Sequence, residues 1–217
     1  LIGERAKLKA VSGFPILSIN SRSSNSTASE YIMNLIVNGL DIVGPGAGTP
    51  GSGCVLITNC AGVHLKNSTF TSANYGICGR GCLISTFENL TIQDNVAGAD
   101  MRENDGFNPN LLTWRECRFV KNWASTYYSQ KFNNSIQNFY DCQFEENNIV
   151  AGQIGDGNMT MNFNNDAGTI NVNGCHFESN IGSNCIYYNG YNKNNTITIM
   201  GCFFINPNCT NTVNVYQ

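Results

Sequence analysis

The chain has 217 residues, a formal net charge of −3 and a pI near 5.3. It is long enough for one domain with a sizeable core, and the balance of charge gives no basic field for nucleic acid or an anionic membrane. No apolar run approaches the roughly 18 residues of a membrane span, so no membrane insertion is expected.

Only 12% of residues are charged, while Asn supplies 34 positions and Gly 22, a composition suited to a chain with frequent bends. Residues 8–19 read as a first coil: Leu8-Lys9-Ala10-Val11, the turn Ser12-Gly13, then an apolar run to Ile19. The chain begins at Leu1 in mid-pattern and without a signal peptide, which reads as one piece of a longer protein. Residues 21–29 are polar and low in complexity, an excursion from the pattern. Strand character returns over residues 31–43. Residues 44–53 hold five Gly and two Pro and must form a loop. The spacing Gly44-x-Gly46-x-Gly48 resembles a phosphate loop only superficially, because no amphipathic helix and no Lys-Ser/Thr pair follow.

From here one figure recurs. Cys117-Arg118-Phe119-Val120-Lys121-Asn122 returns as Cys142-Gln143-Phe144-Glu145-Glu146-Asn147, as Cys175-His176-Phe177-Glu178-Ser179-Asn180, and in frayed form from Cys202 to Pro207. Leu90-Thr91-Ile92-Gln93-Asp94-Asn95 keeps it with aliphatic residues. Its centres, Ile42, Phe70, Ile92, Phe119, Phe144, Phe177 and Phe204, lie 22 to 33 residues apart, the period of a repeat array. Apolar residues alternate within each figure, so the unit is a strand with Cys and Phe inward and an Asn at the following bend. A rung of about 25 residues has no room for a crossover helix. Stacked rungs predict an all-β, right-handed, single-stranded parallel β-helix of about 7 to 8 coils, one domain over residues 1–217. Asn95, Asn122, Asn147 and Asn180 should form a ladder along it.

A second strand series follows the first by one bend: residues 54–58, 76–78, 98–101, 127–128, 149–151, 185–187 and 213–215. It predicts two parallel walls, with insertions at residues 101–110 and 155–166 emerging on the flank.

On the outward face of the principal wall, alternation places Glu116, Arg118, Val120; Asp141, Gln143, Glu145; and Gly174, His176, Glu178. Pairs such as Glu116 with Asp141, or Glu145 with Glu178, would have backbones about 5 Å apart, the range in which two carboxyl groups serve glycoside hydrolysis. Glu116, Asp141, Glu145 and Glu178 are therefore the catalytic candidates, with Arg118, Gln143 and His176 as substrate-binding neighbours. A solvated outer wall also carries acidic residues to keep a sheet soluble, and that reading stays open. A second candidate is Asp100 with Glu103 on the flank insertion, beside Arg102, Asp105, Arg80 and Gln130. Asp94, Lys121 and Glu146 alternate in sign and read as a stabilising stack. Trp114 alternates with Glu116 and should project outward. Trp123, Tyr127, Tyr128, Tyr187, Tyr188 and Tyr191 are further faces on which sugar rings could stack. His64 and His176 have no second ligand at metal spacing, and no Gly-x-Ser-x-Gly elbow or nucleotide loop occurs, so neither a metal nor a cofactor is expected.

The ten cysteines admit two readings. In a reducing compartment Cys117, Cys142, Cys175 and Cys202 are small hydrophobes stacked in the core. In an oxidising one, neighbours such as Cys175 and Cys202, a coil apart, lie near disulfide range. Seven Asn-x-Ser/Thr sequons occur, against about five by chance for this composition, so they do not decide the matter.

The coils from Val63 to Phe70, Trp114 to Asn122 and Phe139 to Asn147 resemble the pectate-lyase-like β-helix of bacteriophage tailspikes, from about Leu8 to the end of the chain. That resemblance implies a homotrimer on a virion tail that binds a bacterial surface polysaccharide and often cleaves it, as a glycoside hydrolase or lyase, with Asp and Glu side chains. The chain departs from the family in its shortness, its high Cys count and the lack of a recognisable head-binding domain. Phe-x-x-Asn, at Phe119, Phe144 and Phe177, is also similar to the repeat of polymorphic outer-membrane proteins and related extracellular β-helices. That likeness implies a secreted or cell-surface adhesin or structural protein. The Gly-Gly-Ala-Ile motif that accompanies the repeat is missing.

Overall fold

A computed structural model describes residues 6–10, 14–20, 34–47, 49, 52–102, 109–130, 133–148, 159–164, 167–190, 196–206 and 208–216. These residues are all-β. Their strands form two sheets, and every strand pairing is parallel. The first sheet has 13 strands: β1 (Ala6–Lys9), β3 (Leu35–Asn38), β4 (Leu40–Val43), β6 (Val63–Thr71), β8 (Thr86–Gln93), β10 (Leu112–Arg115), β11 (Arg118–Val120), β13 (Asn133–Tyr140), β14 (Gln143–Glu145), β16 (Ala167–Asn173), β17 (His176–Glu178), β19 (Thr196–Met200) and β20 (Phe203–Ile205). The second has eight, in the order β2 (Leu17–Asn20), β5 (Gly53–Thr58), β7 (Tyr75–Arg80), β9 (Ala97–Arg102), β12 (Tyr127–Gln130), β15 (Met159–Asn164), β18 (Ile181–Asn189) and β21 (Asn208–Tyr216).

The recurring figure sets the register. Phe119 pairs with Phe144, Phe144 with Phe177 and Phe177 with Phe204. Their rings stack at 4.9, 4.9 and 4.8 Å between centroids. Rings with almost parallel planes at this spacing add about 0.5–1.5 kcal/mol per pair beyond the burial of their area. The core lies between the two sheets. Tyr127 on β12 meets Trp114 and Phe139 of the first sheet edge-on, at 5.5 and 4.9 Å.

Three residues after Ile92, Phe119, Phe144 and Phe177, the expected amide ladder forms. Asn95 Nδ2 donates to Asn122 Oδ1 at 3.3 Å, Asn122 Nδ2 to Asn147 Oδ1 at 3.0 Å, and Asn147 Nδ2 to Asn180 Oδ1 at 3.0 Å. Each of these amides also donates to the backbone of the coil before it: to Phe70 O, Ile92 O, Phe119 O and Phe144 O for Asn95, Asn122, Asn147 and Asn180. All four residues are buried. A carboxamide suits this place because it has donors and acceptors on one short stem and can serve a backbone N–H and a backbone C=O of neighbouring strands at once.

The first wall differs from expectation in being creased. A residue with left-handed φ splits each rung: Asn67 at 48°, Asn89 at 49°, Glu116 and Asp141 at 53°, Gly174 at 66° and Gly201 at 59°. The crease consumes one residue without alternating. Inward positions on its two sides are consequently three apart, as in Trp114 and Cys117, rather than two. A second left-handed corner follows the wall at Asp94, Lys121, Glu146 and Ser179. Of the stack expected there, Lys121 Nζ lies 3.4 Å from Glu146 Oε2, both exposed, while Asp94 accepts from Gln93 Nε2 at 2.9 Å.

The expected insertion at residues 155–166 also needs correction. Met159, Met161 and Phe163 alternate, and β15 pairs with β12 and β18 as a regular member of the second sheet. The strand expected at residues 149–151 lies outside the described residues, as do Glu103, Asp105 and Tyr191.

Candidate functional site

The crease defines the outer surface of the first wall. On its far side lies the in-register column Thr91, Arg118, Gln143, His176 and Phe203, and next to it Gln93, Val120, Glu145, Glu178 and Ile205. Arg118 spans two coils: its Nε donates to Gln143 Oε1 at 2.9 Å and its Nη2 lies 3.2 Å from Glu145 Oε2. His176 Nε2 lies 3.1 Å from Glu178 Oε2. Arg118 is half exposed, at 51% of its side chain, so these contacts leave it reachable by a ligand.

Glu145 and Glu178 pair directly across adjacent strands, so their backbones are about 4.8 Å apart. Glu116 and Asp141 are exposed and stand on successive coils, but on the corner rather than in a strand. Glu116 N donates to Tyr140 O at 3.0 Å, and Asp141 N to Asn173 O at 3.0 Å. These two residues therefore stand outside the strand column that holds Glu145 and Glu178.

Two aromatic expectations are overturned. Trp114 is fully buried, with its ring 4.0 Å from Phe87 and nearly parallel to it. The crease at Glu116 resets the alternation and sends the indole inward. Tyr128 is only 7% exposed, and Arg102 lies over its ring at 4.7 Å, so no open face remains for a sugar. Tyr127 and Tyr188 are likewise core residues. The sequence reading missed Arg115 and Tyr140 on the near side of the crease. Arg115 pairs with Tyr140 across β10 and β13, and its guanidinium lies 5.3 Å from that ring. The signal was present in the column Gly39, Asn67, Asn89, Glu116, Asp141, Gly174 and Gly201, whose Asn, Asp and Gly content marks left-handed backbone.

The second candidate lies on the outer face of the second sheet. Cys78, Asp100 and Tyr128 are in register there, as are Arg80, Arg102 and Gln130 one pleat further on. Asp100 is 1% exposed, with Arg80 Nη2 2.9 Å from Oδ2 and Arg102 Nε 2.7 Å from Oδ1. Arg80 Nη1 also donates to Gly79 O and Asp100 O, each at 3.0 Å. Burial pulls Arg102 down, but the hydrogen bond and charge of Asp100 outweigh it and hold the guanidinium above its ordinary value. Burial, then the charge of Asp100, raises Tyr75. A carboxylate sealed between two guanidinium groups is suited to anchoring two strands, β7 and β9. Removing both guanidinium groups would leave the buried Asp100 charge uncompensated.

Among the described residues, no group of three or more His, Cys, Asp or Glu is placed to hold a metal ion. No family model, no curated protein and no solved structure matches the chain.

Proposed function

We propose that the two sheets are the walls of a right-handed parallel β-helix, and that the creased first wall binds a bacterial surface polysaccharide in the manner of a tailspike. The reading rests on one observation: consecutive coils present Arg118, Gln143 and His176 in register at the outer surface. A glycan lying across the coils would meet a donor or acceptor at each step of about 4.8 Å. Tyr140 and Arg115 on the near side of the crease add an aromatic flank. Within this reading the protein acts on a virion tail as a homotrimer.

Glu145 and Glu178 are the pair best placed for hydrolysis. Their strand spacing approaches the roughly 5–5.5 Å between carboxyls of retaining glycosidases. Each is engaged by a basic side chain of the same wall, Arg118 or His176, and a general acid would have to leave that contact before protonating a leaving group. Recognition is thus supported more directly than cleavage. The same observation favours the second reading, a non-enzymatic surface adhesin.

The test is incubation of the protein with purified bacterial surface polysaccharides, followed by measurement of binding and of new reducing ends. Arg118→Ala with Gln143→Ala should reduce binding at least about tenfold while leaving the melting curve in place. Glu145→Gln or Glu178→Gln should abolish any release of oligosaccharide. Binding unaffected by the double substitution would overturn the assignment of the surface. Binding without release in the wild type would establish the adhesin reading over the enzyme.

A further inference from the structure

We infer that Cys185 and Cys209 are an oxidative modification site that closes to a disulfide and staples the last strand of the second sheet to its neighbour. Their Sγ atoms are 3.0 Å apart, about 1 Å beyond a disulfide bond length. Cys185 lies within β18 and is buried, while Cys209, near the start of β21, is partly exposed and open to a reagent in solution. Cys117 Sγ, by contrast, is buried and directed at Phe87 O, 3.3 Å away. The thiol of Cys185 donates toward Cys209 and lowers its pKa, so Cys209 is the member that ionises first. The nucleophile in thiol–disulfide exchange is the thiolate.

With a low-molecular-weight disulfide such as oxidised glutathione as oxidant, the Cys209 thiolate attacks one sulfur and expels a glutathione thiolate. The Cys185 thiolate then attacks the Cys209 sulfur of the mixed disulfide and expels the second. Two cysteines are oxidised, one glutathione disulfide is reduced to two thiols, and the two cysteine protons end on glutathione. Among the described residues β21 pairs with β18, and most of its residues are exposed. The closed loop from Cys185 to Cys209 contains β19 and β20, so one bond ties β18 to β21 across both of them.

The test uses the intact protein, reduced and then exposed to oxidised glutathione, with mass measurement and non-reducing peptide mapping. Loss of two hydrogens and a single cross-linked peptide joining Cys185 to Cys209 is expected. Proteolysis within residues 208–216 should then slow at least about tenfold and recover on reduction. Cys185→Ser should instead leave Cys209 carrying one glutathione. A cross-link joining Cys175 to Cys202, a stable glutathione adduct on wild-type Cys209, or an unchanged mass would each overturn the inference.

Discussion

Replacing Asn122 by Ala tests whether the buried amide ladder holds the coils together. The side chain accepts from Asn95 N and Asn95 Nδ2, both at 3.3 Å, and donates to Ile92 O and Asn147 Oδ1, both at 3.0 Å. Asn95 Nδ2 would keep Phe70 O, and Asn147 Oδ1 would keep Asn122 N, at 3.1 Å each. Asn95 N–H and Ile92 C=O would lose the amide that serves them. At about 1–3 kcal/mol for each buried polar group so stranded, the loss is about 2–6 kcal/mol. Urea unfolding followed by the fluorescence of buried Trp114 measures it, with Lys66→Ala as control. Lys66 Nζ lies 2.9 Å from Glu88 Oε2 on the surface, with both side chains 37% exposed, so its loss should stay within about 0.5 kcal/mol. Asn122→Asp adds a sign test. It places a carboxylate where the donor Nδ2 stood, facing Ile92 O, so its folded pKa should lie above the unfolded value of about 3.9. Its stability should therefore be greatest in acid and fall as pH rises through that window. An Asn122→Ala loss no greater than that of the control would refute the reasoning.

Phe144→Ala, which opens a gap between two rings 4.9 Å away on either side, should cost about 3–5 kcal/mol in the same titration. Gly98→Ala would bring a Cβ to 2.5 Å from Thr126 O, a backbone atom that cannot turn aside, and should lower stability by about 1–3 kcal/mol in thermal melts. Burial pushes the thiols of Cys54 and Cys82 from 9.0 up to about 12, and that of Cys78 to about 11. A thiol raised in the folded state favours folding fully below its unfolded value, and that contribution is lost as pH rises toward the folded one. Melting temperature should hence fall between pH of about 9 and 12, and less steeply in Cys54→Ala. At pH near 8, a thiol reagent should label Cys54 and Cys82 quickly only in urea, and fast labelling without urea would contradict their burial.

The Phe and Asn columns were legible because their chemistry repeats at every rung: each position has one neighbour above and one below, so the same residue solves the same problem repeatedly. Cys117, Cys142 and Cys175 point inward as alternation required. The crease was not legible at Glu116 and Asp141, whose types do not announce left-handed backbone as strongly as Gly174 and Gly201 do. Missing it misplaced Trp114 and hid Arg115 and Tyr140. β15 escaped because a glycine-rich stretch precedes it and masks the alternation from Met159 to Phe163. Asp100 sits at an outward position, and its burial depends on Arg80 and Arg102 from two strands, a three-body arrangement that no local pattern carries.

In the β-helix proposed above, every rung would hand on the set of contacts it receives, which makes the rung the natural unit of change. Such a stack could lengthen or shorten by whole turns without disturbing what lies on either side. The solvent-facing positions between the amide and aromatic columns carry no such constraint, so a surface could be rewritten on an unaltered frame.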